Sequence, residues 1–264
     1  MADENAVENV GRVAALWRYP VQSLRGERLD ALEIGPKGPI GDRGWGIFDP
    51  EAGHIAISAR GKKKWRPLIT WQARYVREPK LDAPLPPVEI EFEDGTRLMS
   101  DRADIDAKLA DRLGWPGQFV EVAKSVPAYA HAHVHALTSA TLETFAKHYP
   151  SGRFEPERFR PNMFIATEGR SGFVESGWIG SALQAGRIGL GIDEHCIRCV
   201  ITTLPQGDLP QDAGILATVT ETNKQHAGIY CSVRQAGTLR LGDPVRLTRA
   251  VPGVQRSASN DSAA

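Results

Sequence analysis

The sequence predicts a mainly β protein with a few helices. Gly (26) and Pro (18) punctuate its 264 residues heavily, and the periodic segments between them are short, a pattern of strands and turns rather than long helices. Hydrophobic residues make up 41% and charged residues 24%, the balance of an ordinary globular chain long enough to bury a core without staples.

In chain order, a first strand is predicted over Gly11–Tyr19, a second over Leu29–Ile34 and a third over Trp45–Phe48. The stretch Asp49-Pro50-Glu51-Ala52-Gly53 is a turn signal leading to His54–Ser58, and Leu68–Tyr75 and Val88–Phe92 are further strand candidates. Glu93-Asp94-Gly95-Thr96 is a hairpin turn, because Asp-Gly supplies the positive φ such turns require. Ile105, Leu109 and Leu113 recur four apart and predict a helix over Asp101–Leu113, capped by Ser100 or Asp101 and ended by Gly114-Trp115-Pro116-Gly117. Ser139–His148 is the second predicted helix, with Leu142 and Phe145 on one face and Pro150 beyond its end. Strands are then expected at Met163–Ala166, Arg187–Ile192, Val200–Leu204, Ile229–Val233 and Val245–Thr248. The change from hairpins to helix and strand near Gln118–Tyr129 places a domain boundary there, giving domains 11–118 and 119–250. Residues 251–264, Ser/Ala-rich and without apolar period, are expected to be a disordered tail.

Lys+Arg and Asp+Glu are equal at 32 each, which disfavours nucleic acid as the main partner while allowing a local basic site. Three cysteines do not make a secreted disulfide scaffold. Met1–Val10 is acidic and does not read as a secretory signal, and no apolar run reaches membrane-helix length, so no membrane contact and a soluble, reducing, cytoplasmic setting are expected.

The sharpest local feature is His195-Cys196-Ile197-Arg198-Cys199-Val200-Ile201-Thr202-Thr203. Structural zinc needs four ligands, and only His195, the two cysteines and distant Cys231 are on offer. A redox pair sits at a helix N-terminus, whereas β-branched residues follow here. In an extended chain residues three apart face opposite ways, so one thiol can be core filler while the other faces a pocket beside Arg198, or both can be small core residues.

From Arg158 to Leu247 the chain resembles a MOSC domain, the C-terminal module of molybdenum cofactor sulfurases. The likeness rests on Phe159-Arg160-Pro161-Asn162, Gly172-Phe173-Val174-Glu175 with Trp178, Arg198-Cys199-Val200-Ile201-Thr202-Thr203, and Gly237-Thr238-Leu239-Arg240-Leu241-Gly242-Asp243-Pro244-Val245. Tyr19-Pro20-Val21-Gln22-Ser23 with Gly26, and Gly41-Asp42-Arg43 with Trp45, are similar to the β-barrel domain that precedes it in the mitochondrial amidoxime-reducing component and its bacterial relatives. The resemblance implies an N-terminal β-barrel-like domain packed on a C-terminal MOSC β-barrel, with the molybdenum cofactor (molybdopterin) in the cleft between them.

By that resemblance Cys199 is the protein ligand of molybdenum, a thiolate suited to a soft metal, and Ser23, Arg43, Arg160, Asn162 and Arg198 bind the cofactor's phosphate and pterin. Cys196 is not the family ligand and is expected to be a small core residue. The implied activity is an oxidoreductase reducing N-hydroxylated or related N- or S-oxygenated small molecules. Alternatives are a cofactor or sulfur carrier with a persulfide on Cys199, and an enzyme without molybdenum that uses Cys199 as nucleophile or a His-bound metal.

Two departures stand out. Relatives often carry Lys where Gln22 stands. The segment Ala130-His131-Ala132-His133-Val134-His135 puts three imidazoles on one face if extended, where they can hold a metal, bond the cofactor, donate protons, or form a polar outer face. No Cys-x4-Cys-x2-Cys spacing is present, so electrons are expected from a separate iron–sulfur, flavin or haem protein. No Gly-x-Gly-x-x-Gly, Gly-x-Ser-x-Gly or P-loop pattern supports NAD, FAD, a serine nucleophile or a nucleotide triphosphate.

Overall fold

Strand β1 (Val7–Arg18) ties the two halves of the molecule together. In the computed structural model, which describes residues 7–58, 62–122 and 134–249, one edge of β1 pairs antiparallel with the last strand. Its other edge pairs with a strand from the middle of the chain. Following the hydrogen bonds from β12 (Met163–Ala166) leads through β11 (Val134–Thr138), β15 (His226–Gln235), β14 (Ile188–Ile197), β13 (Ala182–Ala185) and β17 (Pro244–Thr248) to β1, which pairs back onto β12. The result is a closed seven-stranded barrel, antiparallel except for the β11–β12 pair. Closure leaves no free edge to aggregate.

The barrel interior is aliphatic. Val10, Val13, Leu16, Leu190, Ile229, Val245 and Leu247 are all buried in it, and each large side chain so buried contributes about 1.5–3 kcal/mol. Gly11 has φ +150°, and a Cβ there would lie 2.1 Å from the Ala166 carbonyl oxygen, so only glycine lets β1 approach β12 here, where its register with β17 shifts.

The remaining described strands form three-stranded sheets, two around a second core of Ile47, Trp65, Leu68, Trp71, Ile90 and Leu109 and the third packing Leu32, Ile34 and Leu239 into the barrel core. They are β10 (Gln118–Glu121) with β5 (Trp45–Asp49) and β6 (His54–Ile55), then β7 (Gln72–Tyr75) with β8 (Val88–Glu91) and β9 (Arg97–Met99). In the third, β16 (Gly237–Arg240) from the C-terminal half pairs with β3 (Ala31–Gly35), itself paired with β4 (Gly38–Pro39). Strand β2 (Glu27–Leu29) extends the barrel sheet beside β1. The halves therefore exchange strands, β1 going one way and β16 the other.

Several expectations are corrected. Val200–Leu204 is not a strand: Val200–Thr203 is a 3₁₀ turn. The Thr202 N–H and Oγ1 both donate to the Cys199 carbonyl, and the Thr203 hydroxyl donates to Val200, so the threonines bond locally instead of joining a ladder. Leu68–Thr70 ends a 3₁₀ segment, Lys63–Thr70, whose buried residues Trp65, Leu68 and Ile69 follow a threefold rather than a twofold period. Helix α1 (Ile105–Leu113) begins four residues late, because the Ser100 hydroxyl accepts from the Val88 N–H and so stays with β8. Helix α2 (Ser139–His148) has the expected bounds, with the Thr138 hydroxyl accepting from the Thr141 N–H. The single helical turn α3 (Pro156–Phe159) and helix α4 (Ala213–Asn223) were not foreseen. In α4 the hydroxyls of Thr218, Thr220 and Thr222 bond back to carbonyls four residues earlier, which hides a helix inside β-branched composition. His131, His133 and the 251–264 tail lie outside the described residues.

Candidate functional site

The site forms where the end of β1, the turn after α3 and the end of β14 meet. Tyr19, just beyond β1, is buried, and its hydroxyl donates to the Pro161 carbonyl at 3.1 Å. The Arg160 guanidinium lies over its ring at 4.3 Å and that of Arg43 at 4.8 Å. Gly26 permits this arrangement, since a Cβ there would stand 2.3 Å from the Arg18 carbonyl oxygen and 2.6 Å from the Tyr19 ring.

Arg160 is 6% exposed. Its Nη1 donates to the Leu24 carbonyl at 2.7 Å, and its Nη2 is buried with no partner. Burial, with the neighbouring Arg43 and Arg198 charges pressing the same way, pulls this guanidinium down to about 10. Arg198 is equally enclosed. Its Nη2 donates to the Phe159 carbonyl at 2.7 Å, its Nη1 lies 2.6 Å from the Cys196 sulfur, and its Nε has no partner. Arg43 pairs with Asp42. No carboxylate salt-bridges Arg160 or Arg198 among the described residues.

Backbone geometry marks the same place. Ser23, Arg43 and Arg160 have φ of +73°, +51° and +54°. They are three of the six described non-glycine residues in the left-handed region, where each costs about 1–3 kcal/mol and where functional sites concentrate.

The predicted residues divide into two groups. Arg43, Arg160 and Arg198 converge, and the Cys199 thiol acts electrostatically on Arg198. Cys199 is half-buried beside Ile69, Ile201 and Leu204, at the start of the 3₁₀ turn. Asn162 and Ser23 are already engaged. The Asn162 amide accepts from the His135 N–H and donates to the Trp17 carbonyl, stapling β11 to β1. The Ser23 hydroxyl donates to the Ala56 carbonyl and accepts from the Ser58 N–H. His135 is buried with its ring nitrogens 3.2 and 3.3 Å from the Arg160 and Ala227 carbonyl oxygens, facing the barrel wall. No group of three His, Cys, Asp or Glu side chains that could hold a metal ion occurs among the described residues.

Cys196 is buried, as expected of a core residue, yet its surroundings are polar. Burial opposes ionisation of this thiol, but the Arg198 guanidinium, together with His135 and Tyr230 hydrogen-bonded to the sulfur, outweighs it and holds the thiol well below its usual range. Its partners come from β11, β15 and the residue after next, so spacing alone could not reveal them. Arg158 supports the whole turn: its guanidinium donates to the Arg153, Thr202, Leu204 and Pro210 carbonyls. An open cleft of about 310 Å³ touches Tyr19 and Arg160 from outside, and Cys199 does not line it.

The closed β-barrel thus carries, on a flank with left-handed backbone, buried guanidinium groups with unpartnered N–H groups beside a half-buried thiol. The MOSC domain profile matches residues 109–246, and that of the MOSC N-terminal beta barrel domain matches residues 10–73. The chain belongs to the MOSC domain family. It is 24% identical over 300 residues to mitochondrial amidoxime reducing component 2 of Bos taurus, and 25% over 301 residues to that of Rattus norvegicus. Each alignment covers 90% of this chain and 84% of the relative. Among solved structures, the YUAD protein of Bacillus subtilis superposes with a TM-score of 0.52 over 93% of this chain and 99% of that one. At 12% identity this likeness speaks for the fold alone. Among the described residues no helix is long and apolar enough to cross a membrane.

Proposed function

We propose that the protein binds the molybdenum cofactor through Cys199, Arg43, Arg160 and Arg198 and acts as an oxidoreductase on N-hydroxylated or related N- or S-oxygenated small molecules. The observation that carries this reading is the pair of orphaned buried N–H groups, Arg160 Nη2 and Arg198 Nε, on guanidinium groups that no carboxylate salt-bridges among the described residues. A buried N–H without a partner is costly, and an anionic ligand with a phosphate and polar ring edges removes that cost. The donor set fits such a group: guanidinium forks for oxyanions, and one half-buried thiol for a soft metal. Relatives named amidoxime reducing component support the reductase class.

Bound there, the cofactor would supply a two-electron redox centre. The chain's part is to neutralise, orient and exclude. Tyr19 fixes the planes of Arg43 and Arg160, Arg158 holds the turn that presents Cys199, and the Asn162 staple keeps the barrel wall behind them closed. His135, enclosed among the Arg160 and Ala227 carbonyls and the Cys196 sulfur, would act on this cluster from within the barrel wall. Electrons would arrive from a separate donor protein.

The test is elemental analysis of protein made in a host that synthesises the cofactor, with reduction of a model N-hydroxylated substrate by an artificial donor. Molybdenum near one per chain that falls at least tenfold in Cys199→Ala, with loss of turnover, is expected. Unchanged metal in Cys199→Ala overturns the ligand assignment, and metal without turnover overturns the reductase.

A further inference from the structure

The open cleft outside Arg160 holds more cationic groups than the cofactor reading uses. It runs between the end of β1, the Arg25–Arg28 segment, the 153–160 stretch and the 206–209 loop. Four arginines line it, with Glu155, Glu157 and Asp208. Arg153 forks onto Glu155 at 2.7 Å and Asp208 at 3.0 Å, leaving Glu155 Oε2 buried without a hydrogen-bond partner. Arg25, Arg28 and Arg160 form no salt bridge among the described residues, while the carboxylates of Glu157 and, acting on Arg25, Asp208 face the same cleft.

These cations are held in place. The Arg28 guanidinium sits over the Trp17 ring at 5.7 Å, and that of Arg160 over Tyr19 at 4.3 Å. A guanidinium stacked on a ring keeps its in-plane N–H edge free for an oxyanion, and its fork is already oriented. Arg25 is anchored by its Nε on the Thr70 carbonyl at 3.2 Å. Its Nη1 reaches the cleft floor, 2.8 Å from where a Cβ on Gly207 would lie, so this loop position favours glycine, whose φ is +61°. Buried Arg160 adds its unpartnered Nη2. The cleft, about 310 Å³, is at the lower end of the range for small-molecule sites and larger than a bare phosphate needs.

We propose that this cleft is a substrate subsite for small molecules bearing an oxyanion, a carboxylate or phosphate, gripped by Arg25 and Arg28, with Arg160 shared between it and the buried cluster. The inference rests on the reductase reading and names the substrate class of that site.

Isothermal titration calorimetry of the full, cofactor-loaded chain with benzoate, phenyl phosphate, inorganic phosphate and neutral benzyl alcohol tests it. The aromatic anions should bind at least tenfold more tightly than benzyl alcohol and than inorganic phosphate. Arg25→Gln and Arg28→Gln should each weaken them at least fivefold, while Arg12→Gln, on the barrel surface, changes nothing. Equal binding of the alcohol, no binding, or anion affinity indifferent to both substitutions overturns the proposal. Molybdenum content separates the sources of the anion. Arg25→Gln and Arg28→Gln should retain the parent's metal, whereas its loss in step with them assigns the cleft to the cofactor's own phosphate and overturns the subsite alone. A parent without molybdenum overturns the functional reading, and the titration still decides the cleft.

Discussion

Arg18 and Arg160 are both buried, and both lie over a tyrosine ring, Tyr75 and Tyr19 respectively. Their electrostatics differ completely. Arg18 donates from Nε to Glu27 at 2.7 Å and from both Nη groups to Glu78, so its charge and geometry are satisfied within the chain. Arg160 has one carbonyl, one empty N–H, two cationic neighbours and no salt bridge, Asp42 being paired with Arg43. The first is a structural ion pair. On the proposed reading the second is a receptor whose balancing charge comes from a ligand. Arg158, bonded to four neutral carbonyls, stands between them as a cation used as a clamp.

The largest expected effect comes from breaking the satisfied site. Arg18→Met strands Glu27 and should cost about 3–5 kcal/mol in urea unfolding. Arg160→Met in ligand-free protein removes an uncompensated buried cation and should cost less than about 1 kcal/mol. Equal losses would erase the distinction. Next, Gly26→Ala should cost about 1–3 kcal/mol by forcing a methyl against the Arg18 carbonyl and the Tyr19 ring, a clash that thermal unfolding would register. An unchanged Tm would show that Tyr19 is not held as described.

A pH series sharpens the comparison on the Cys196 side. A thiol held below its unfolded value adds stability that is complete above the ordinary range, near ~8.5, and is lost as pH falls through the lower folded value. The parent should therefore lose up to about 1.4 kcal/mol per pH unit on acidification across that window. Arg198→Met, which removes the guanidinium 2.6 Å from the sulfur, should flatten the slope. The smallest effect is Arg12→Gln. This pair with Glu168 is exposed, and its removal should shift unfolding by less than about 0.5 kcal/mol.

The barrel strands with clear alternation or apolar runs were legible in the sequence, as was α2, whose Thr cap and Leu142–Phe145 face are local signals. The turn bearing Cys199 was misread because Thr and Ile favour strands on average. Here the threonine hydroxyls find the carbonyls of their own turn. At the site, the arginines were identified from motifs. The motifs could not tell which side chains the fold would consume: Asn162 and Ser23 are spent on backbone, while Arg160 and Arg198 are left short of partners. Nor could spacing join Cys196 to His135 and Tyr230, since barrel closure brings β11, β14 and β15 side by side.

The claim that Arg160 is a receptor rather than a structural cation is tested most directly by molybdenum per chain in the parent and in Arg160→Met, both made in a host that synthesises the cofactor. Near one atom per chain in the parent and less than a tenth of that in the variant is the predicted result. Equal metal in the two proteins, or none in the parent, would contradict it.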